Sequence, residues 1–416
     1  MVPNGWKKGV VDDIAKVTSG GTPSRNKDSY WNGHIPWVTT SEVKFGVITD
    51  TEQKITQEGL DNSSAKLFPE DTILMAMYGQ GKTRGQVAKL GIEASTNQAC
   101  AALLLHKEHD VDYYYQYLTS QYENIRELAN SGGQQNLSAG IIKDIHVPIP
   151  PLQEQRKIAK ILSTWDKAIA TTEKLIETSK QQNKALMQQL LTGKKRLVNP
   201  ETGKAFEGEW EDKYLNDFSK VIVSPVDKKT VEGEIPVELC NYTDVYYNTN
   251  ITQKLTFMKA TAKQSEIDKF TLEVDDVIIT KDSETPGDIA VPALVSEDLN
   301  GVVCGYHLAI VRTDKQQANG AFINYLFSMP KTRYYFFTLA TGATRFGLSI
   351  GGINKAHFRL PPLQEQQKIA SVLTAADKET EVLETKLAHF KQEKKALMQQ
   401  LLTGKRRVKV DEEVAA

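Results

Sequence analysis

Residues Pro150 to Arg196 read PPLQEQRKIAKILSTWDKAIATTEKLIETSKQQNKALMQQLLTGKKR, and Pro361 to Arg407 read PPLQEQQKIASVLTAADKETEVLETKLAHFKQEKKALMQQLLTGKRR. The second stretch copies the first at a displacement of 211 residues (from 150 to 361), and about 27 of the 47 aligned positions are identical. A repeat at fixed displacement sets the architecture before any local reading does. The chain is two modules in tandem.

After each Pro-Pro pair, Leu152 or Leu363 opens a stretch without Gly or Pro until Gly193 or Gly404, and basic residues follow (Lys194, Lys195, Arg196; Lys405, Arg406, Arg407). Such boundaries predict one uninterrupted helix with a Gly stop and positive charge at the negative end of its dipole. Within it, Ile158, Leu162, Trp165, Ile169, Thr172, Ile176, Ser179, Asn183, Leu186 and Leu190 step by alternating four and three residues, a heptad seam. The second copy keeps the register with Ile369, Leu373, Ala376, Thr380, Leu383, Leu387, Phe390, Lys394, Leu397 and Leu401. About 40 residues make a rod of roughly 60 Å. A seam of this kind must be buried, and the nearest match is the other copy. An antiparallel intramolecular coiled coil with pseudo-two-fold packing is expected, placing the globular parts at opposite ends. Trp165 in one copy answers Ala376 in the other, which suggests large-against-small packing across the seam. The plainer alternative lays each helix on its own globular part.

The predicted organisation is a first globular domain at 1–149, a helix at 150–196, a second domain at 197–360, a helix at 361–407 and a tail at 408–416. The domains echo one another. GWKKGVVDDIAKV from Gly5 resembles GEWEDKYLNDFSKV from Gly208, and IPWV at Ile35 resembles IPVE at Ile235. FPEDTILMAMYGQGK from Phe68 parallels LEVDDVIITKDSETPG from Leu272, and LANSGGQQNLS ending at Ser138 parallels LATGATRFGLS ending at Ser349. Acidic turns, β-rich apolar runs and helical stretches such as residues 111–129 predict a mixed α/β fold.

A chain of 416 residues exceeds what one core sustains, which agrees with two domains. Its longest apolar run, ACAALLL from Ala99 to Leu105, falls well below the roughly 18 residues of a membrane span. The N-terminus lacks the apolar core of a secretory signal, and the three cysteines, Cys100, Cys240 and Cys304, are scattered. A cytoplasmic protein without a disulfide framework or cysteine-based zinc site is expected. With a net charge of −1, any nucleic-acid surface must be local.

Catalytic motifs are scarce. GQGKT from Gly79 to Thr83 would need a glycine at the position of Ala76 to be a phosphate loop. There is no HExxH, CxxC or Gly-x-Ser-x-Gly pattern, and Asp28, Glu42 and Lys44 form a nuclease-like arrangement only by force. Polar loops with interleaved basic and aromatic residues are the better lead. In the first domain these are Ser19, Gly20, Gly21, Thr22, Ser24, Arg25 and Lys27; then Tyr78, Gln80, Lys82, Thr83 and Arg84; then Gln134, Gln135 and Asn136. The second offers Asn241, Tyr242, Tyr246 and Tyr247; Lys281, Asp282 and Ser283; Tyr306 and His307; and Thr344, Arg345 and Phe346. Backbone N–H, hydroxyl and guanidinium groups suit phosphates, while Arg reads guanine and Asn or Gln reads adenine in the major groove.

The paired PPLQEQ…KALMQQLLTGK helices, with SGGTPSRNKDSYWNGHIPWVTTSEV from Ser19 to Val43, closely resemble the specificity (S) subunit of type I restriction-modification systems. That resemblance implies two target recognition domains alternating with two helices that pair antiparallel. It further implies a non-catalytic subunit in which each domain reads half of a bipartite, asymmetric site in double-stranded DNA and the coiled coil sets the gap. The implied partners are two methyltransferase subunits, which bind S-adenosylmethionine and flip an adenine, and ATP-dependent restriction and translocase subunits using Mg. No cofactor of the chain's own is expected. Carried onto this sequence, the family's recognition loops fall at Ser19 to Lys27, Thr39, Thr40 and Ser41, and Tyr78 to Arg84. In the second half they fall near Asn241 to Tyr247, Lys281 to Ser283 and Thr344 to Phe346. The second domain departs from the first by carrying IVSPVDKKTV from Ile222 where SGGTPS would stand. The two domains are therefore expected to read different sequences. The competing readings are a coiled-coil adaptor that never touches DNA, and a nuclease or ATPase in its own right.

Overall fold

The computed structural model describes residues 3–79, 82–128 and 136–410. The chain forms two compact units, Met1–Lys174 with Thr385–Ala416, and Leu175–Glu384. The long helices run from Leu152–Leu190 and Leu363–Leu401. Each unit contains a globular part, the first half of the helix that follows it, and the second half of the other helix.

The globular parts share one topology. In the first unit a five-stranded sheet has the order Ala15–Ser19, Cys100–Leu105, Ile73–Ala76, Val87–Leu90, Val47–Ile48. In the second the order is Ser219–Val223, Leu308–Thr313, Val277–Thr280, Pro292–Val295, Asn250–Ile251. In both, the last strand pairs parallel and the others antiparallel. The apolar run at Ala99 becomes an interior strand, second in the sheet order, whose first residues are buried, as a strand covered on both faces should be. A second sheet is built around Trp31–Val38 in the first unit and Ile235–Cys240 in the second, each with one antiparallel and one parallel neighbour. The acidic turns that precede the central hairpin put Asp71 (φ 66°) and Asp275 (φ 79°) in the left-handed region at matching positions. Short polar side chains tolerate that conformation best among non-glycines. The mixed α/β expectation holds. GQGKT joins the strands Ile73–Ala76 and Val87–Leu90, so a strand rather than a helix follows it and a phosphate loop is excluded.

The closely matching ends of the two helices have a physical reason. In the first unit Ile158, Ala159 and Leu162 pack in one core with Leu401 and Leu402, beside Trp6, Tyr113 and Leu118. In the second, Ile369, Ala370 and Leu373 pack with Leu190 and Leu191, beside Trp210 and Phe322. Each domain thus clasps the start of its own helix and the end of the other. The clasp is sealed by a buried charge. Arg196 donates to both carboxylate oxygens of Glu365, from Nε at 2.6 Å and from Nη2 at 2.7 Å, and to the Gly208 carbonyl at 3.2 Å. Arg407 does the same to Glu154, with its Nη1 on the Asn4 carbonyl at 2.7 Å. The neighbouring glutamines are equally buried. Gln155 accepts from Asp110 N at 2.8 Å and donates to Pro150 O at 2.7 Å, while Gln366 accepts from Asn319 N at 3.0 Å and donates to Pro361 O at 2.8 Å. The Glu-Gln pair of PPLQEQ and the Arg after TGK are therefore one device. Gly404 (φ 70°) and Gly193 (φ 69°) turn the chain back at the helix ends, and a Cβ at Gly404 would lie 2.4 Å from Pro3 Cγ.

All ten seam positions of each copy are buried or half-buried. Within each unit the halves pack antiparallel, with Lys394 on Asp166 at 2.5 Å and Lys391 on Glu173 at 2.7 Å in the first, and Ser179 on Thr380 at 2.7 Å and Lys180 on Glu384 at 2.6 Å in the second. The pairing of large against small at Trp165 is not found. Trp165 meets Phe390 edge-on, with ring centroids 5.6 Å apart. Opposite direction brings the start of one seam against the end of the other, so equivalent positions such as 165 and 376 do not face each other.

Removing the carboxylate of Glu365, whose side chain is 0% exposed, would strand Arg196 and the polar groups around it. Glu365→Ala is expected to lower stability by about 2–4 kcal/mol, less than a fully buried pair because Arg196 keeps some contact with water. Denaturant midpoints measure this, and a loss below about 0.5 kcal/mol would show that apolar packing alone holds the helix ends.

Candidate nucleic-acid interface

The backbone puts the candidate loops at one place on the fold in both units. In the first, Met77 N donates to Ala99 O at 2.8 Å and Leu137 N to Met77 O at 3.0 Å. In the second, Lys281 N donates to His307 O at 2.9 Å and Leu348 N to Lys281 O at 3.0 Å. Tyr78, Gln98 and Asn136 therefore lie one residue from a shared junction, as do Asp282, Tyr306 and Gly347. The rims match in position while their side chains differ.

In the first unit Gly20 and Gly21 are buried, and Gly21 N donates to Thr96 O at 2.8 Å. Trp37 Nε1 donates to Gly21 O at 2.9 Å, and Thr22 bonds Gln98. These contacts fix the start of the loop and leave its tip outside. Ser24, Arg25 and Lys27 are exposed. Arg25 lies over Trp31, 3.7 Å from the ring centroid, with Nη1 donating to Gln53 Oε1 at 2.7 Å. Lys27 donates to Tyr30 OH at 2.9 Å. Thr39 donates through N and Oγ1 to Glu42 Oε2, both at 2.8 Å, and pairs with Ser41 Oγ at 2.7 Å; Thr40 is half-buried beside them. Glu42 is spent on this turn, and no group of three metal-ligating side chains occurs among the described residues. Tyr78 is exposed, Lys82 is exposed with its carbonyl accepting from Tyr122, and Thr83 and Arg84 are half-buried. Gln80, Gln134 and Gln135 lie outside the described residues; Asn136 is exposed.

In the second unit four clusters far apart in sequence converge. Tyr242 and Tyr246 stack with centroids 5.4 Å apart, Tyr242 OH pairs with Ser283 Oγ at 3.1 Å, and Tyr246 OH donates to Asp288 at 3.0 Å. Tyr247 projects, 76% exposed. Ser283 pairs with Phe346 across two short strands, as Asp282 does with Gly347. His307 Nδ1 lies 2.5 Å from Asp282 Oδ1, Arg345 Nε donates to the same oxygen at 2.9 Å, and Lys281 Nζ is 3.4 Å from Asp282. Tyr306 packs on His307, and Thr344 is exposed. Burial holds the His307 imidazole below its ordinary value, with Asp282 opposing and Arg345 and Lys228 assisting. Asn241 differs from its expected role. At 8% exposed, with its backbone N donating to Asp244 at 2.7 Å, it starts a short helix and offers little side chain outward. Buried Cys100 is pushed up to about 12, and burial raises Cys240 and Cys304 as well, so these thiols are inert.

Sequence reasoning missed the residues that position the rim. Trp31 and Gln53 hold Arg25, Gln98 sits where Tyr306 sits in the other unit, and Lys228 lies close enough to His307 to disfavour its charged form. Lys228 left a signal as part of the segment that stands where SGGTPS would, and Trp31 lies within the stretch Ser19 to Val43 without having been singled out; Gln53 and Gln98 left none.

Two copies of one fold, each carrying a polar, cationic and aromatic rim at the same place, define a duplicated protein with two equivalent candidate surfaces. The chain belongs to the type I restriction modification DNA specificity domain family, whose profile matches residues 3–181 and 207–392. It is a non-catalytic subunit of that family with two recognition domains. It is 27% identical to the putative type I restriction enzyme MjaX specificity subunit of Methanocaldococcus jannaschii, over 98% of this chain and 95% of that one. With the MjaIX specificity subunit of the same organism it is 28% identical, over 53% of each chain, so that match spans about half the relative's length. With the EcoR124I/EcoR124II specificity subunit of Escherichia coli it is 30% identical over 39% of this chain and 40% of that one. The crystal structure of a type I restriction-modification S subunit from M. genitalium has the same fold, with a TM-score of 0.61, 15% identity and 96% of each chain covered. No described helix is long and apolar enough to cross a membrane.

A Cβ at Gly20 would lie 2.0 Å from the Thr96 carbonyl oxygen, whereas one at Gly351 meets nothing within 4 Å. Gly20→Ala is expected to cost about 1–3 kcal/mol through overpacking, and Gly351→Ala to leave stability unchanged or slightly raised. Equal denaturation midpoints for the two variants would refute close packing beneath the first rim.

Proposed function

We propose that the chain reads a bipartite, asymmetric site in double-stranded DNA, one half per recognition domain, and that the length of its paired helices sets the number of base pairs between the halves. It assembles with methyltransferase subunits, two in number, and with restriction and translocase subunits, and these partners supply the S-adenosylmethionine, ATP and Mg chemistry. The complex works in the cytoplasm. One observation carries this reading: the two units hold their rims at the same backbone junction but furnish them differently, with Tyr78 against Asp282 and Gln98 against Tyr306. A shared scaffold with unlike reading residues is what an asymmetric two-part site requires. Support also comes from relatives described as specificity subunits of type I restriction enzymes.

Net charge near zero makes the electrostatic part of binding local to the rims. Lys27, Lys82, Lys228 and Lys281 suit phosphates, while Arg25, Arg345, Gln98 and Asn136 suit base edges. An adaptor that never touches DNA would gain nothing from arginines braced as Arg25 and Arg345 are.

Two measurements test the proposal. The chain purified with its methyltransferase subunits should shift one bipartite duplex selectively, with affinity falling steeply between 50 and 200 mM salt, on the order of the counterion-release slope of several phosphates. Binding without sequence preference would refute it. Adding seven residues to both long helices adds about 10 Å, roughly three base pairs of rise. The methylated motif should then widen its gap by that amount or methylation should cease; persistence at the original gap would show that the helices do not set it.

A further inference from the structure

Arg345 is exposed over half its side chain (52%), yet it is held from both sides. Its Nε donates to Asp282 Oδ1 at 2.9 Å, and its Nη2 lies 2.9 Å from His307 Nδ1 and 3.1 Å from His307 Nε2. His307 Nδ1 is committed to the same Asp282 oxygen at 2.5 Å. The self-consistent arrangement is a neutral imidazole with its proton on Nδ1, donating to Asp282, and with Nη2 of Arg345, nearly equidistant from the two ring nitrogens, set against the face of the ring. Burial keeps the ring in that neutral form. Asp282 in turn is anchored by the strand pairing of residues 282–283 with 346–347, the segment that carries Arg345.

The donor arithmetic then decides what the arginine can do. Of its five N–H groups one is spent on Asp282 and one lies against the His307 ring. Both protons of Nη1, and one of Nη2, have no recorded acceptor among the described residues. The remaining Nη1–Nη2 edge is the planar fork that matches O6 and N7 of guanine in the major groove. A phosphate clamp would be weakened by the carboxylate beside it, since Asp282 repels the anion. A base reader gains from that carboxylate, because it removes the rotamer freedom that a long side chain otherwise loses on binding.

We infer that Arg345, braced by Asp282 and His307, reads a guanine in the half-site recognised by the second domain, with Asp282 a positioning residue. This rests on the DNA-reading function proposed above.

The test selects from a duplex library of random sequence with the chain and its methyltransferase subunits together, comparing the unaltered protein with Arg345→Lys, Arg345→Ala and Asp282→Asn. Lysine keeps the charge and loses the fork. The unaltered protein should enrich a bipartite sequence with an obligatory guanine in one half. Arg345→Lys and Arg345→Ala should make that position degenerate and weaken binding to the parent site about tenfold or more, leaving the other half-site intact. Asp282→Asn should relax the same position less. A motif unchanged by Arg345→Lys overturns the inference while the DNA-reading function stands, as does an equal loss on all sequences with the guanine still required. If the unaltered protein enriches no sequence, the function itself fails, and the inference with it.

Discussion

The buried carboxylate at the start of each long helix is the constraint on which the rest of the chain depends. A charged Glu without water is tolerable only when a cation and further hydrogen bonds meet it. For Glu154 and Glu365 that cation comes from the far end of the opposite helix, Arg407 and Arg196. The need for neutralisation therefore ties the start of one repeat to the end of the other. Apolar packing beside it, Leu162 with Leu401 and Leu373 with Leu190, supplies the bulk of the burial. The ion pair supplies direction, since parallel packing within a unit would bring the two carboxylates together.

The central part of the seam is less apolar than its ends, and this too is informative. In the first unit Asp166 takes Lys394 and Gln116; in the second its equivalent, Asp377, takes Asn183 and Tyr325. Polar positions in a seam lower stability but specify register, because a slipped pairing strands them. The repeat is most alike where the domains clasp it and divergent where each half meets a different partner.

The rims extend the same logic to function. Shared backbone hydrogen bonds at Met77 and Lys281 hold equivalent loops at equivalent places, and the variable side chains stand on that frame. Arg25 rests on Trp31, and Arg345 is braced by Asp282 and His307. Two unrelated supports thus hold a guanidinium at equivalent rims of one frame.

By itself the sequence determined the duplication, the two uninterrupted helices, their heptad seam and the mixed α/β class, because periodicity and Gly or Pro boundaries are local properties. It also marked most rim segments through their composition, and the family through the repeated PPLQEQ and TGK ends. Only the tertiary structure decided that Trp165 meets Phe390 rather than the position of Ala376, that Asn241 is largely turned inward, and that Trp31 and Gln53 hold Arg25. It also decided that Glu154 and Arg407, far apart in the chain, form one clasp. Each of these depends on contacts between residues distant in sequence, which chain direction and three-dimensional packing set and which no local pattern records.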